Sequence, residues 1–522
     1  MKYAKLLTAL VPQTRPLDKR QVKNNAGGYV FQIDDWARLD RFLILGADAP
    51  TYYQKARALT LENAKCVERC YADDAARTVA RIVEISEAGR AAKNDAAIFA
   101  LSIGAQHKDL AVRRVALPAL PRVCRTSTQL FQFVTAARAL GRGWGRMLKR
   151  AVADWYGGKT VEQLGYQMIK YRSREGYDHK RLLEASHAPG TTQDRATLYR
   201  WAKGKVHGES DLPAIVKAHI AAMKTHKVHE LVALVSAHRL PWEAVPTEVT
   251  KEPALWKAML PTMGLTALIR NLGAMTSYGA LTPLSRDVET VVNRITDGEE
   301  LRKARIHPFN LLMALAVYKR GKGVKGSLAW DPVGAVVDAL DDAFYASFQT
   351  VEPTGKRTMV CVDVSSSMSS PLMGSPLTVC EGAAALAMTT MRTEANWHVM
   401  AFADGLRKLP LAAKMSLGDV VGYTSNVNFG GTDCSLPMLH ALENGLGVDV
   451  FVVLTDNETW AGRVHPVEAL RRYRRKTGIP ARLIVVGMTS TGFSIADPDD
   501  GGMLDVVGFD SAAPAVIANF AR

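Results

Sequence analysis

Cysteine is scarce in this sequence, with six residues in a chain of 522. The cysteines stand at positions 66, 70, 124, 361, 380 and 434, and no two of them form a Cys-x-x-Cys pair. So few and so scattered thiols exclude a disulfide framework and provide no zinc motif. We therefore expect reduced thiols in a cytoplasmic protein.

Long apolar runs are also missing. No stretch reaches the length needed to span a bilayer, and the short apolar segment at the start is followed at once by Pro12, Arg15 and Asp18. A basic cluster beside an amphipathic membrane anchor is lacking too. We expect a monomer that has no signal peptide and does not bind membranes.

The common catalytic signatures are absent as well. The sequence contains neither a Gly-x-Ser-x-Gly nucleophile elbow nor a Gly-x-x-x-x-Gly-Lys-Ser/Thr phosphate loop. A two-metal nuclease would need several converging acids, and the acidic pair described below is too small for that. We therefore expect a protein that is not an enzyme.

Positive charge is abundant but unevenly distributed. Residues 1–350 contain 52 basic and 34 acidic residues, a net charge of +18, whereas residues 351–522 contain 14 basic and 17 acidic residues. The excess in the first two thirds favours a polyanionic partner, most simply a nucleic acid. A generally basic protein without such a partner is the alternative.

The basic part reads as a long series of helices with short Gly- or Pro-containing connections. In residues 265–275, for example, Leu265, Leu268, Ile269, Leu272 and Met275 recur at helical spacing. A series of this length is typical of an α-solenoid, although the pattern alone fixes no repeat period.

After residue 350 the pattern changes to alternating strands and helices. We predict strands at 358–363, 397–403, 450–455 and 481–487, and helices at 376–392 and 466–476. This order is typical of a doubly wound parallel sheet, which binds ligands at the carboxyl ends of its strands.

Oxygen-bearing side chains follow two of these strands. Asp363, Ser365 and Ser367 alternate after the first strand, Thr432 lies in a Gly-rich loop, and Asp456 ends the strand at 450–455. Hard oxygen ligands suit a divalent cation such as Mg²⁺. The alternative is that the serines only cap a following helix. The order Asp-x-Ser-x-Ser, Thr, Asp resembles the metal-ion-dependent adhesion site of von Willebrand factor A domains.

A second group of candidates is basic. Lys170, Arg172, Arg174, Lys180 and His187 form a basic patch that also contains tyrosines and His179. On a helix, Lys170 and Arg174 would share a face and reach phosphates. His187 could stack on a base. A solvated helix face with a structural histidine is the alternative.

Two more basic groups could line a hole or simply be solvated. They are Arg138, Arg142, Arg146, Lys149 and Arg150, and Lys319, Arg320, Lys322 and Lys325. A further run, Arg471–Lys476, lies late in a predicted helix and favours a solvated face.

Several motifs across the chain resemble the Ro autoantigen, or TROVE-domain, RNA-binding proteins, which include bacterial orthologues. They are Val22–Val30, Trp144–Arg146, Ala153–Tyr156, Ala304–Phe309, Gly430–Pro437, Thr455–Thr459 and Ile495–Asp500. The resemblance implies a ring of HEAT-like helical repeats at residues 1–355, closed by a von Willebrand factor A-like domain at 356–522.

The same resemblance implies a function in a Ro ribonucleoprotein. Y-type noncoding RNA would bind the outer surface through Lys170, Arg174 and His187, and single-stranded 3′ ends of misfolded small RNAs would enter the central hole. RNA quality control, stress survival and processing by polynucleotide phosphorylase tethered through Y RNA would follow. The alternative is a metal-dependent protein-interaction module of the adhesion or chelatase type, which leaves the basic helical part unexplained.

Overall fold

The computed structural model describes most of the chain, in two structurally different parts. The described residues are 11–45, 64–91, 93–141, 143–174, 176–205, 211–323, 327–347, 353–371, 378–425, 430–489, 491–507 and 513–522. Among them, no helix is both long and apolar enough to cross a membrane.

The first part is helical and has one small hairpin. Its first ten helices are α1 (Asp35–Leu45), α2 (Lys65–Asp73), α3 (Ala75–Ala88), α4 (Asp95–Gln106), α5 (Leu110–Ala116), α6 (Leu120–Val123), α7 (Ser127–Ala139), α8 (Arg146–Gly157), α9 (Val161–Lys170) and α10 (His179–Ser186). The hairpin, between α9 and α10, pairs β3 (Ser173–Arg174) with β4 (Tyr177–Asp178). The remaining helices are α11 (Gln193–Ala202), α12 (Ala214–Lys224), α13 (Val228–His238), α14 (Pro253–Met259), α15 (Leu265–Ser277), α16 (Arg286–Thr296), α17 (Gly298–Ala304), α18 (Pro308–Lys319) and α19 (Gly334–Ala346).

Local sequence explains these helices. The five apolar residues predicted to share a face of α15 are all buried, and burial of such a stripe supplies most of a helix's stability. At the start of α7, the Thr126 side chain accepts from the backbone N–H of Gln129. The Gln129 side chain in turn accepts from the N–H of Thr126, which makes a capping box.

The helical series closes on itself through one exposed and one buried contact between residues far apart in the chain. Arg305 Nε donates to the carbonyl of Glu87 at 2.8 Å, and His307 Nε2 lies 3.0 Å from the carbonyl of Arg90. Both His307 and Arg90 are buried. The link between α17 and α18 therefore contacts the end of α3, and the helices form a ring.

The second part is built on a six-stranded sheet with strand order β11-β9-β8-β5-β6-β7. The strands are β5 (Thr358–Asp363), β6 (Trp397–Phe402), β7 (Leu406–Lys408), β8 (Val450–Thr455), β9 (Arg482–Gly487) and β11 (Met503–Val507). All neighbours are parallel except β6 and β7. Every residue of β5 and β8 is buried, as expected of central strands covered on both faces.

Five helices accompany this sheet: α20 (Val379–Thr393), α21 (Leu417–Ser425), α22 (Leu436–Glu443), α23 (Pro466–Thr477) and α24 (Ala513–Ala521). The predicted strands and the helix at 466–476 are confirmed to within a residue or so. The helix predicted from 376 begins at Val379, where Thr378 caps it, and positions 376 and 377 lie outside the described residues. The predictions did not include α21, α22, α24, β7 or β11.

The segment before α1 is an arm, residues 11–33, that lies against the second part. Its strands β1 (Gln21–Lys23) and β2 (Tyr29–Gln32) form a hairpin, and β2 also pairs with β10 (Phe493–Ser494). The turn signal at Asn24–Tyr29 therefore makes the hairpin turn. Residues 353–357 connect the two parts in irregular conformation, and the domain boundary at 355 stays a prediction.

Arg41 fixes α1 to the sheet domain. Its guanidinium is 1% exposed and donates from Nη2 to both oxygens of Asp505 at 3.0 and 2.8 Å. Its Nη1 donates to the carbonyl of Phe493 at 3.0 Å. A buried arginine held by a carboxylate and carbonyls permits only one docking geometry.

We expect Arg41→Leu to destabilise the protein by about 3–5 kcal/mol, because it leaves the Asp505 carboxylate without its buried cation. The matched control is Arg69→Leu, which removes an exposed bidentate ion pair with Asp35. It should lower the free energy of unfolding by about 1 kcal/mol or less. Urea unfolding measures both free energies. Equal losses in the two variants would contradict the assigned role of Arg41.

Candidate nucleic-acid interface and metal centre

The ring encloses a cavity of about 1120 Å³. Residues from both ends of the ring line it, since Ser86 and Arg125 come from its early part and Asn271 and Asn310 from its late helices. The cavity therefore exists only because the ring is closed.

The lining of this cavity is basic, amide-rich and partly aromatic. Its cations are Lys93, Arg125, Arg270 and Arg305; its amides are Asn94, Gln129, Asn271 and Asn310; and its aromatic residues are Tyr171, Tyr318 and Trp330. No aspartate or glutamate occurs among the described residues that line it. Cations, amide donors and aromatic rings without acids suit a single-stranded polyanion.

Two of these cations lie close together. Burial lowers the pKa of Arg125, and the positive charge of Arg305 lowers it further. Arg125 is held by Ser86, whose hydroxyl and carbonyl accept from it at 3.0 and 3.2 Å. The repulsion between the two guanidiniums is a cost that a bound phosphate would offset.

The basic patch differs in part from its predicted geometry. Helix α9 ends at Lys170, and Arg174 lies in β3, so the prediction that these two residues share a helix face is wrong. The helix ends because Tyr171, with a φ of −120° and a ψ of 74°, is already non-helical, and Gly176, with a φ of 82°, closes the hairpin that follows. Lys170 Nζ donates to the Tyr166 hydroxyl at 3.1 Å and lies over the ring of Tyr171.

The other patch residues occupy several elements. Arg172 is exposed, and its Nη2 donates to the carbonyl of Glu243 at 3.2 Å. Lys180 is exposed near the start of α10. His187 is exposed immediately after α10 and has a left-handed φ of 53°. Their roles in RNA binding stay a prediction.

His179 is a core residue, although the sequence grouped it with the basic patch. One ring nitrogen lies 2.9 Å from the Tyr156 hydroxyl and the other 3.0 Å from the carbonyl of Tyr171. Burial lowers its pKa to about 4, so it is neutral at physiological pH and cannot attract phosphate.

Sequence analysis considered two basic groups as possible linings of a hole. None of their described members lines the cavity. Arg142 and Lys325 lie outside the described residues. The basic run Arg471–Lys476 on α23 is paired with acids, as expected of a solvated face. Arg472 and Arg475 pair with Glu468, Arg471 pairs with Asp497, and Arg474 pairs with Asp500. The cavity cations themselves were missed because they are single residues on separate segments of the chain, Arg270 on α15 and the other three in connections between helices.

The candidate metal centre lies at the carboxyl ends of β5 and β8. Asp363 is completely buried, and its two oxygens accept from the Ser365 N–H at 3.0 Å and the Thr455 hydroxyl at 2.6 Å. The Ser365 and Ser367 hydroxyls are 2.9 Å apart. The structure therefore brings the predicted strand-end oxygens together, with Thr455 as an additional partner that sequence analysis did not assign.

The other two candidates lie in neighbouring loops. Thr432 is buried, and its carbonyl accepts from the N–H groups of Trp460 and Ala461 at 2.9 and 3.0 Å. Asp456 is also buried, and its Oδ1 accepts from the N–H of Glu458 at 2.9 Å. Both loops are thus held by backbone contacts beside the ends of the strands.

The charges of this centre fit a cation. Burial and the nearby carboxylate of Asp456 raise the pKa of Asp363 to about 7. Two buried carboxylates at the ends of adjacent strands are unfavourable until a positive charge offsets them. Within the described ranges, no three His, Cys, Asp or Glu side chains cluster as metal ligands do. A cation here would therefore depend on hydroxyl and carboxylate oxygens, the ligands that suit Mg²⁺.

Comparisons with known proteins cover almost the whole chain. A TROVE-domain model matches residues 22–226 and 237–317, and a Ro60 vWA-domain model matches residues 357–521. The RNA-binding protein RO60 of Deinococcus radiodurans is 42% identical over 517 residues, which are 98% of this chain and 97% of that protein. The protein of the same name from Caenorhabditis elegans is 36% identical over 579 residues, covering 96% of this chain and 90% of that protein.

A solved structure agrees with these matches. The crystal structure of the Deinococcus radiodurans RO (RSR) protein aligns with a TM-score of 0.72 at 40% identity, covering 94% of this chain and 99% of that one. The predicted fold class, a HEAT-like helical ring closed by a von Willebrand factor A-like domain, is confirmed. The chain therefore belongs to the Ro60 family of RNA-binding proteins.

Proposed function

We propose that this protein holds single-stranded 3′ ends of misfolded small RNAs in the ring cavity. The observation that supports this most is the lining of the cavity, which has four cations and, among the described residues, no acid. Phosphates would neutralise the cations, while the half-buried rings of Tyr171 and Trp330 could stack on bases without reading sequence.

A second RNA surface is proposed around Lys170, Arg174 and His187. A structured Y-type RNA would contact these residues, gate the cavity and tether polynucleotide phosphorylase to form a Ro ribonucleoprotein. The protein would then act in cytoplasmic RNA quality control, stress survival and exoribonuclease-linked RNA processing. The role is binding rather than catalysis, which agrees with the names of the relatives.

We also propose that the metal centre binds Mg²⁺. The hydroxyls of Ser365, Ser367 and Thr432 would hold the ion, and Asp363 and Asp456 would hold it directly or through water. Both Asp363 oxygens already accept protein hydrogen bonds, which favours the contact through water for this residue. A metal-dependent protein-interaction module remains the second candidate function, because an open coordination position could accept a partner's carboxylate.

The cavity proposal predicts the effect of removing two of its cations. We expect Lys93→Gln/Arg270→Gln to weaken binding of a duplex with a single-stranded 3′ tail and to reduce the slope of log affinity against log salt by about 1 per cation. Fluorescence anisotropy at several salt concentrations measures both. The charge-matched control is Arg407→Gln/Lys408→Gln on β7, where both residues are exposed, and it should bind like the wild type. Equal slopes in the two variants would place the tail elsewhere.

The outer-surface proposal predicts a different selectivity. We expect Lys170→Ala/Arg174→Ala/His187→Ala to weaken a structured RNA with an internal bulge by about 1–3 kcal/mol per lost contact, and to spare the tailed duplex. The same anisotropy titrations measure this. Equal losses for both RNAs would argue against two separate sites. If the wild type bound neither RNA at physiological salt, the metal-dependent interaction module would become the better proposal.

A further inference from the structure

The arm, residues 11–33, contacts the candidate metal centre through its side chains. Two loops supply Thr432 and Asp456 to that centre, and we call residues 430–435 and 456–465 the metal loops. Three polar side chains of the arm reach into these loops, and each of them bonds atoms more than 400 residues away in the chain.

Gln13 joins the two metal loops. It is 0% exposed, and its Nε2 donates to Asp433 Oδ1 and to the carbonyl of Val464, both at 2.8 Å. Its Oε1 accepts from the Thr459 hydroxyl at 2.5 Å, and that hydroxyl accepts from the N–H of Cys434 at 3.0 Å. One buried amide thus fixes the spacing between the loop of Thr432 and the loop of Asp456.

Asn25 acts on the second metal loop through Glu458. Its Nδ2 donates to Glu458 Oε1 at 2.6 Å, and the N–H of Ala26 donates to Oε2 at 3.0 Å. The backbone N–H of Glu458 donates to Asp456 Oδ1 at 2.9 Å. The carboxylate of Asp456 is therefore oriented by a residue whose own side chain is held by the arm.

Asn24 supports the backbone beside it. Its Nδ2 donates to the carbonyls of Asn457 and Thr459 at 3.3 and 2.9 Å. Asn457, directly after Asp456, has a left-handed φ of 66°, a conformation that costs free energy and persists only when neighbours hold it. Gly28 passes so close that a Cβ there would lie 1.8 Å from the Thr459 carbonyl oxygen.

We propose that Gln13, Asn24 and Asn25 are positioning residues of the metal centre, so that docking of the arm and binding of Mg²⁺ stabilise each other. The inference rests on the proposed Mg²⁺ site. The buried Gln13 amide bridges both loops, and Asn24 and Asn25 hold the second loop. These contacts reduce the loops' freedom before the cation arrives, and preorganised ligands bind more tightly. Reciprocity then requires that the cation also tightens the arm.

The coupling would extend into the RNA-binding ring. The arm continues through β2 into α1, which packs against α2, α3 and α4 and is fixed to the sheet domain by Arg41. Metal binding at the sheet domain and the first helices of the ring therefore share one continuous, docked segment.

Isothermal titration of Mg²⁺ into the full chain without RNA tests the inference. We expect Gln13→Leu and Asn25→Ala to weaken Mg²⁺ binding by about fivefold or more, the usual size of a coupling between sites. The control is Lys19→Ala in the same arm, because the side chain of Lys19 is exposed. It should leave the Mg²⁺ affinity unchanged.

Hydrogen exchange gives a second measurement that does not depend on how well the variants fold. In the wild type, Mg²⁺ should slow exchange at the backbone amides of Ala26, Gly28 and Tyr29, and Asp456→Ala should abolish this protection. If the wild type bound no Mg²⁺, the metal proposal and this inference would both fail. If the wild type and all three arm variants bound Mg²⁺ with equal affinity, and Mg²⁺ did not slow exchange in the arm of the wild type, only this inference would fail.

Discussion

The architecture depends on the contacts of one buried residue, Arg90. Its carbonyl lies 3.0 Å from His307 Nε2, which closes the helical ring, and its guanidinium donates to the carbonyl of Val507 at 3.4 Å, which reaches the sheet domain. Ring closure and domain docking thus meet at the same point. Because the cavity is lined from both ends of the ring, its shape is a consequence of this junction and not of any single helix.

Closure also concentrates charge. Segments distant in sequence each contribute one cation to the cavity, and the charge of Arg305 lowers the pKa of Arg125. The free energy of folding therefore includes a repulsive contribution that the nearby Glu87 carboxylate opposes and that a polyanion or salt would offset further. The candidate metal centre contains a corresponding repulsion between negative charges, since burial and the nearby Asp456 carboxylate raise the pKa of Asp363 to about 7. Each part of the protein holds like charges close together, and its proposed ligand would neutralise them.

Local sequence was enough to predict features that depend on local chemistry. The apolar run at β5, followed by alternating oxygen-bearing side chains, predicted both the strand and the grouping of these side chains at its end, because strand direction and side-chain alternation are set within a few residues. The same reasoning failed at Arg174, where a helix was extended across a turn that Gly176 closes. It also missed Lys93 and Arg270, because nothing near either residue shows that a closed ring brings them to one cavity.

The arm shows why such contacts lie beyond local patterns. The hairpin turn at Asn24–Tyr29 is visible in the sequence, but its partners are not, since Gln13 bonds Asp433 and Val464 across 420 and 451 residues. No local rule specifies contacts at that separation, and their entropic cost is large before the sheet domain exists. The Gln13 amide is nevertheless fully buried and hydrogen-bonded through both its nitrogen and its oxygen, which favours a selected arrangement over incidental packing. The arm therefore packs as part of the sheet domain, and the metal loops are complete only when the arm and the sheet domain are both in place.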